Sequence, residues 1–246
     1  MSIFIGQGTP LVFLHGAGED SRVWLDVVGK GFAGFRSYLL DLPGHGSNRH
    51  VEGPFTFEGY STAVEAWLNE QGLTGVVLVG RSLGALIAHH LYLAKPSLFT
   101  ALICVNYGTR LEFPDGFLER LAREPRLAIR EMMLPITLPE ERKESLGPEI
   151  EGLLMENRGV LLYDFAILKA RSIRKPYGAG RPGLIVAGLR DRLVPPSSSQ
   201  ELQRLLPGSR LLLLGDVGHF IPIEKPGLLR GAMEAFFGEL RRKALL

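Results

Sequence analysis

A serine, an aspartate and a histidine, far apart in this chain, each follow directly on a short apolar run, and together they could activate a hydroxyl for attack on a carbonyl. Ser82 lies in Gly80-Arg81-Ser82-Leu83-Gly84, after the run Val76 to Val79 and before a helical pattern through Leu83, Leu86, Ile87, His90 and Leu91. Strand, sharp turn and helix in that order, with small residues on both flanks, let the backbone hold a serine in a strained conformation with its hydroxyl projecting. Such a turn is expected to aim Ser82 Oγ at solvent, above the sheet. A bare G-x-S-x-G match is expected by accident roughly 0.2 times in a chain of this composition, so the surrounding residues must carry the inference.

A serine hydroxyl is a weak nucleophile at its own pKa and needs a base whose tautomer is fixed by a third group. Of the six histidines, His89 and His90 sit in the helix behind Ser82 and point along it. His15 and His45 lie in glycine-rich turns and His50 in a polar loop, where a solvated side chain is the default, although His15 is well placed to bond loop backbone. His219 differs, because Gly215-Asp216-Val217-Gly218-His219-Phe220 follows the last strand pattern and its glycines can swing an imidazole over the C-terminal edge of a parallel sheet, where ligands gather. Asp191, in Ala187-Gly188-Leu189-Arg190-Asp191, follows the run Leu184 to Ala187 on that same edge and is the expected orienting acid; a helix-capping or solvated aspartate is the ordinary alternative. Asp216 is a weaker candidate, since only two residues separate it from His219 and its carboxylate would have to double back. A developing oxyanion needs donors, and Leu83 N–H at the start of the helix is one candidate. The other is Ala17 N–H in Leu14-His15-Gly16-Ala17-Gly18, whose glycines let backbone approach a ligand closely, although a plain strand-to-helix turn would use the same glycines.

The elements that must hold these residues alternate. Buried-strand runs at Leu11 to Leu14, Ser37 to Leu40, Val76 to Val79, Ala101 to Val105, Leu184 to Ala187 and Arg210 to Leu214 are separated by helical patterns at Ser21 to Lys30, Phe57 to Gln71, Leu83 to Lys95 and Ser198 to Leu206, with a last one from Lys225 to about Arg242. This predicts an α/β fold: a mostly parallel sheet with helices on both faces. Ile3 to Ile5 is an expected edge strand. From about Gly108 to Gly180 no strand is expected, only helices such as Gly116 to Arg123, Pro125 to Met133, Glu140 to Asn157 and Val160 to Arg171. The expected organisation is therefore a core of residues 1–107 and 181–246 with a helical cap inserted at 108–180.

With 246 residues, 46% of them hydrophobic, the chain can fill one large domain core. Its formal net charge of +2 is near balance, with Arg and Lys scattered among acids, so a small-molecule partner is expected rather than nucleic acid. The start carries no basic n-region, and no apolar run approaches a bilayer-spanning length, so a soluble, unexported, cytoplasmic protein is expected. The single cysteine, Cys104, lies in an apolar run and reads as a buried, inert thiol. Scattered histidines and the lack of a second cysteine imply no zinc-type cluster, and neither a metal nor an organic cofactor is expected.

The pieces PLVFLHGAG (Pro10 to Gly18), DLPGHGSN (Asp41 to Asn48), GRSLG, AGLRDRLVP (Ala187 to Pro195) and GHF (Gly218 to Phe220) together resemble the α/β-hydrolase superfamily, nearly from end to end. The order Ser, Asp, His along the chain is that of this superfamily. The resemblance implies Ser82 as nucleophile, His219 as general base and acid, Asp191 as its orienter, amides of Ala17 and Leu83 as the oxyanion hole, and the helical insertion as the variable cap. Departures are the short N-terminal segment, Ala85 in place of a further glycine, and Arg81 at the variable turn position, where it would pair with an acid or touch an anionic substrate. A serine nucleophile disfavours relatives that use aspartate there. The expected activity is hydrolysis of a small carboxylic ester through an acyl-enzyme; carbon–carbon bond hydrolysis, lactone opening and thioester cleavage use the same groups. An NAD(P)-dependent oxidoreductase is the rival from another class, resting on Gly16-Ala17-Gly18 with Asp41 near the dinucleotide-binding distance, but it leaves Ser82, Asp191 and His219 unused.

Overall fold

A computed structural model describes residues 3–171 and 182–246. Apolar β-branched runs with no polar interruption can be buried on both faces, which is how parallel strands are accommodated. Such runs fill the inner strands, and the strands in chain order are β1 (Ile3–Gly6), β2 (Thr9–Leu14), β3 (Phe35–Leu40), β4 (Val76–Arg81), β5 (Phe99–Val105), β6 (Gly183–Gly188) and β7 (Ser209–Leu214), of which the edge strands β1 and β7 alternate between covered and exposed residues. Among the described residues these make one seven-stranded sheet in the order β1-β3-β2-β4-β5-β6-β7. Only β1, the expected edge strand, runs antiparallel, pairing Ile3 with Leu39 through Gly6 with Arg36. The chain passes outward from β2 to β3 and then crosses back to place β4 on the other side of β2. That reversal opens a crevice between the C-terminal ends of β2 and β4, the place where doubly wound sheets bind ligands.

Helices α1 (Leu25–Val28, after a 3₁₀ turn at Ser21–Trp24), α2 (Phe57–Glu70) and α3 (Leu83–Ala94) follow β2, β3 and β4. Between β5 and β6 come α4 (Phe117–Arg123), α5 (Pro125–Ala128), a π-helical turn at Ile129–Met133, α6 (Leu134–Thr137), α7 (Glu140–Glu156) and α8 (Arg158–Ala170). The chain ends with α9 (Pro196–Leu205), α10 (Ile221–Glu224) and α11 (Pro226–Arg242). The expected helix Pro125 to Met133 is instead α5 plus the π-helical turn, while α7 runs on through Pro148. The expected insertion boundary at 180–181 lies outside the described residues.

Alternate residues of the strands feed two cores. Val12, Leu14 and Leu78 face α2, α3 and the helical insertion, whereas Leu11, Phe13, Val77 and Val79 face α1 and α11. The amphipathic spacing of Leu229, Met233, Phe236, Phe237 and Leu240 buries one stripe of α11, with the Phe237 ring tilted against Phe35 at 4.3 Å between centroids and edge-on to Phe32 at 5.3 Å. Full burial of such side chains stabilises by about 1.5–3 kcal/mol each, so the helix is fixed by its apolar stripe and needs no side-chain cap. No helix among the described residues is long and apolar enough to cross a membrane.

Candidate active site

Gly80 and Gly84 make the turn around Ser82 geometrically feasible. A Cβ on Gly80 would lie 2.3 Å from Gly84 O and 2.5 Å from Ala85 Cα, and one on Gly84 would lie 2.4 Å from the carbonyls of Leu14 and His15. Two absent side chains thus let α3 fold back over β4 and sit against the end of β2. Ser82 pays for this with φ +48° and ψ −112°, a conformation costing on the order of 1–3 kcal/mol for a residue with a side chain. The strain is held by Ser82 N–H donating to Val105 O at 3.0 Å and by Ala85 and Leu86 N–H donating to Ser82 O. Ala85 is fully buried in α3 without needing to be glycine. Contrary to the expected solvent-facing hydroxyl, Ser82 is only 3% exposed. The helical insertion packs over this edge: Leu161 and Leu154 press on Gly18, and Thr137 O and Pro139 on Gly218, each where a Cβ would not fit.

The three distant residues meet. His219 Nε2 lies 3.3 Å from Ser82 Oγ, and His219 Nδ1 lies 2.7 Å from Asp191 Oδ2. Asp191 is buried and its other oxygen, Oδ1, accepts from Leu193 N–H at 3.0 Å and Val194 N–H at 2.9 Å. With the carboxylate acting as acceptor, Nδ1 carries the proton and Nε2 presents its lone pair to the serine. Asp216 is not part of this chain: its side chain is 82% exposed and it faces Arg190 at 3.9 Å.

Sequence reasoning missed Asn106, the residue directly after β5. Its amide donates to Asp191 Oδ2 at 3.2 Å and to Gly218 O at 3.1 Å, from a backbone at φ +51°. A polar residue directly after a fully buried strand, on the edge that carries Ser82 and Asp191, was the available signal. Glu224, on α10, was also missed. Its Oε2 accepts from the Gly218 amide and its Oε1 from the Phe220 amide, each at 2.9 Å, and it pairs with Arg142 of α7 at 2.7 Å. His219 N–H itself donates to Thr137 O at 2.6 Å. The base therefore stands on a loop whose three consecutive amides are all bonded.

The turn after β2 is held as tightly. His15 Nδ1 donates to Gly16 O at 2.8 Å and Nε2 accepts Leu42 N–H at 3.0 Å, the structural role expected of it. Burial and the neighbouring charge of His45 push His15 down to about 4, so it stays neutral. His45 is not solvated as expected but wholly buried, because Asp164 of α8 reaches it: Nδ1 bonds Pro43 O at 3.0 Å and Nε2 bonds Asp164 Oδ2 at 2.8 Å. Both ring nitrogens face acceptors. Burial opposes a charge on His45, but the Asp164 carboxylate outweighs it and raises the pKa above 6.5. Asp164 also accepts Gly18 N–H at 2.8 Å and Tyr60 O–H at 2.7 Å. Burial and this carboxylate push the Tyr60 phenol up, keeping it a donor. Asn157, ending α7, adds bonds to the carbonyls of Gly18 and Glu19.

These bonds count against dinucleotide binding. Gly16 and Gly18 amides, which would cradle a pyrophosphate, are already bonded to the carboxylates of Glu19 and Asp164, whose negative charge repels one. Asp41, the supposed ribose ligand, accepts instead from Ser21 N–H and from Ser47 N–H and Oγ–H. Cys104 is buried, and burial pushes its thiol far above the ordinary range. Arg81 pairs with an acid, Glu19, rather than facing open space.

The comparisons agree with this architecture. A pimeloyl-[acyl-carrier protein] methyl ester esterase of Aeromonas salmonicida (strain A449) is 30% identical over 243 residues, covering 90% of this chain and 92% of the relative. Its counterpart from Vibrio vulnificus (strain YJ016) is 26% identical over 251 residues, with 95% and 96% covered. The structure of a thermophilic esterase from Thermogutta terrifontis superposes with a TM-score of 0.83 at 24% identity, over 98% of this chain and 93% of that one. The sequence model of the alpha/beta hydrolase family matches residues 11–232, and with that span including every strand end that bears a candidate site residue, the chain belongs to the alpha/beta hydrolase family.

Proposed function

We propose that this protein is a serine hydrolase that cleaves carboxylic esters of small alcohols through an acyl-enzyme. The observation that carries the reading is the continuous hydrogen-bonded line from Ser82 Oγ through His219 to Asp191, beginning at a serine held at positive φ. In this mechanism Ser82 Oγ attacks the ester carbonyl while His219 Nε2 takes its proton, and the imidazolium is steadied by Asp191. The amides of Ala17 and Leu83 receive the oxyanion; Leu83 begins α3, where a helix supplies no acceptor for its first amides. His219 returns the proton to the leaving alcohol, then takes one from water, whose oxygen attacks the acyl-serine. Collapse releases the acid and gives Ser82 back its proton. The Ser82 to His219 distance of 3.3 Å is long for such a transfer; catalytic hydrogen bonds of this kind commonly tighten once substrate is bound.

The helical segment between β5 and β6 acts in this reading as a cap, because it packs against the Gly18 and Gly218 loops that flank Ser82 and bonds them. Small-alcohol esters are favoured over lactones, thioesters and carbon–carbon substrates because the relatives at 26–30% identity bear the name of a methyl ester esterase. A panel at matched concentration tests this: methyl, ethyl and aryl esters of short and medium acids against lactones, thioesters and ring-cleavage dienones. The expected result is the highest kcat/KM on an ester. Turnover confined to a dienone or a lactone would replace ester hydrolysis with that reaction.

A further inference from the structure

We propose that Arg81 is a positioning residue, a buried brace that holds the general base and the oxyanion turn in register with the nucleophile; the proposal rests on the serine hydrolase reading. Arg81 occupies the variable position of the turn and is the last residue of β4, yet its side chain is only 2% exposed. One terminal nitrogen, Nη1, is paired with Glu19 Oε1. The other, Nη2, donates to the carbonyl of His219 at 2.5 Å. The guanidinium carbon lies 4.4 Å from the centre of the Phe220 ring. Glu19 is itself fully buried, and its second oxygen accepts Gly16 N–H at 2.8 Å. A single planar group, carried by the residue before Ser82 at the end of β4, thus joins the loops that follow β2 and β7, touching the base residue's own backbone and the acid that grips the turn containing Ala17.

Gly16 belongs to the same device. A Cβ there would fall 2.4 Å from Arg81 Nη1 and 2.8 Å from Glu19 Oε2, so the glycine leaves room for the pair to close. Stability does not explain a buried ion pair at this place, since two well-packed apolar side chains of similar volume commonly fold a protein as well or better. Geometry does explain it. An arginine fork reaches two acceptors at a fixed angle, whereas a lysine ammonium on a flexible stem holds one at a time. When Ser82 gives up its proton, His219 becomes cationic and must neither retreat from Ser82 nor turn from Asp191, and its carbonyl is the part of the residue that Arg81 fixes.

The test compares wild type, Arg81→Lys, and the double variant Arg81→Met with Glu19→Leu, which removes both charges together. Activated-ester kinetics, thermal unfolding, and the downfield proton resonance of His219 Nδ1–H are measured for each. The expected result is a kcat lower by about 10- to 100-fold in both variants with KM within about 3-fold, a double variant that melts near the wild type, and a His219 resonance that broadens or shifts upfield in both. Wild-type kcat with an unchanged resonance in either folded variant would overturn the proposal. So would a double variant that does not fold, because the pair would then be needed for stability. If the wild type itself hydrolysed no ester while the resonance still changed in the variants, the hydrolase reading would fail and the brace would stand.

Discussion

A hydroxyl attacks only when its proton has somewhere to go, and in the proposed mechanism that place for Ser82 is the lone pair on His219 Nε2. Asp191 keeps the lone pair there, and four donors hold Asp191: His219 Nδ1–H, the Asn106 amide, and the amides of Leu193 and Val194. Asp191→Asn would turn an acceptor into a donor facing Nδ1 and favour the wrong tautomer. The expected loss is about 10⁴-fold in kcat with the fold intact, while Asp216→Asn, at an exposed site, should leave kcat near wild type. Steady-state kinetics with circular dichroism checks both, and a mild Asp191→Asn beside a crippled Asp216→Asn would move the acid role. The meeting of Ser82, Asp191 and His219 was legible in the sequence because each follows a strand run and each has chemistry that needs the other two. Asn106 and Glu224 were not, because their partners are backbone groups and a carboxylate 85 residues away in Asp191's case, and nothing local marks such a contact.

At the scale of elements, the helical insertion is fastened to the sheet edge by polar groups as well as by apolar packing. Asp164 on α8 bonds the Gly18 amide, Tyr60 on α2 and His45, and Arg142 on α7 pairs with Glu224 beneath the His219 loop. The His45–Asp164 contact gives stability a pH dependence of definite sign. A histidine whose folded pKa lies above its ordinary 6.5 adds stability that is fully present below 6.5 and is lost as pH rises through the folded value. Asp164→Asn should therefore destabilise most on the acid side of that range, by about 3 kcal/mol for a buried pair that loses one partner. The gap from wild type should narrow as the pH is raised. Denaturant unfolding across that window measures it, and a gap that stays constant or widens with pH would show that His45 carries no proton in the fold. The wild type also loses stability as pH falls from 6.5 toward 4, because the unfolded chain protonates His15 in that range while burial and the charge of His45 hold the folded residue neutral down to about 4.

For the molecule as a whole, the sheet was legible because parallel strands buried on both faces read as unbroken apolar runs. The insertion was legible as helices, since its prolines and its 3.6-residue pattern exclude strands, but the contacts that fasten it to the sheet edge were not. An element that is amphipathic along its length looks the same whether it packs on a neighbour or over a reactive group. The π-helical turn at Ile129–Met133 was likewise invisible, because its extra residue per turn changes the hydrogen bonding without altering the composition. Two buried charge pairs, Arg81 with Glu19 and His45 with Asp164, tie the turn after β2 to other parts of the site: Glu19 lies in that turn, and Asp164 accepts its Gly18 amide. The same scale holds the assembled claim, that strand ends distant in the chain converge on one serine. Treatment with a fluorophosphonate followed by peptide mass spectrometry tests it most directly: a single phosphonyl adduct on Ser82, abolished by His219→Ala along with ester turnover, is the predicted result. An unlabelled Ser82 in protein that still hydrolyses ester, or a Ser82→Ala variant that keeps most of its activity, would contradict it.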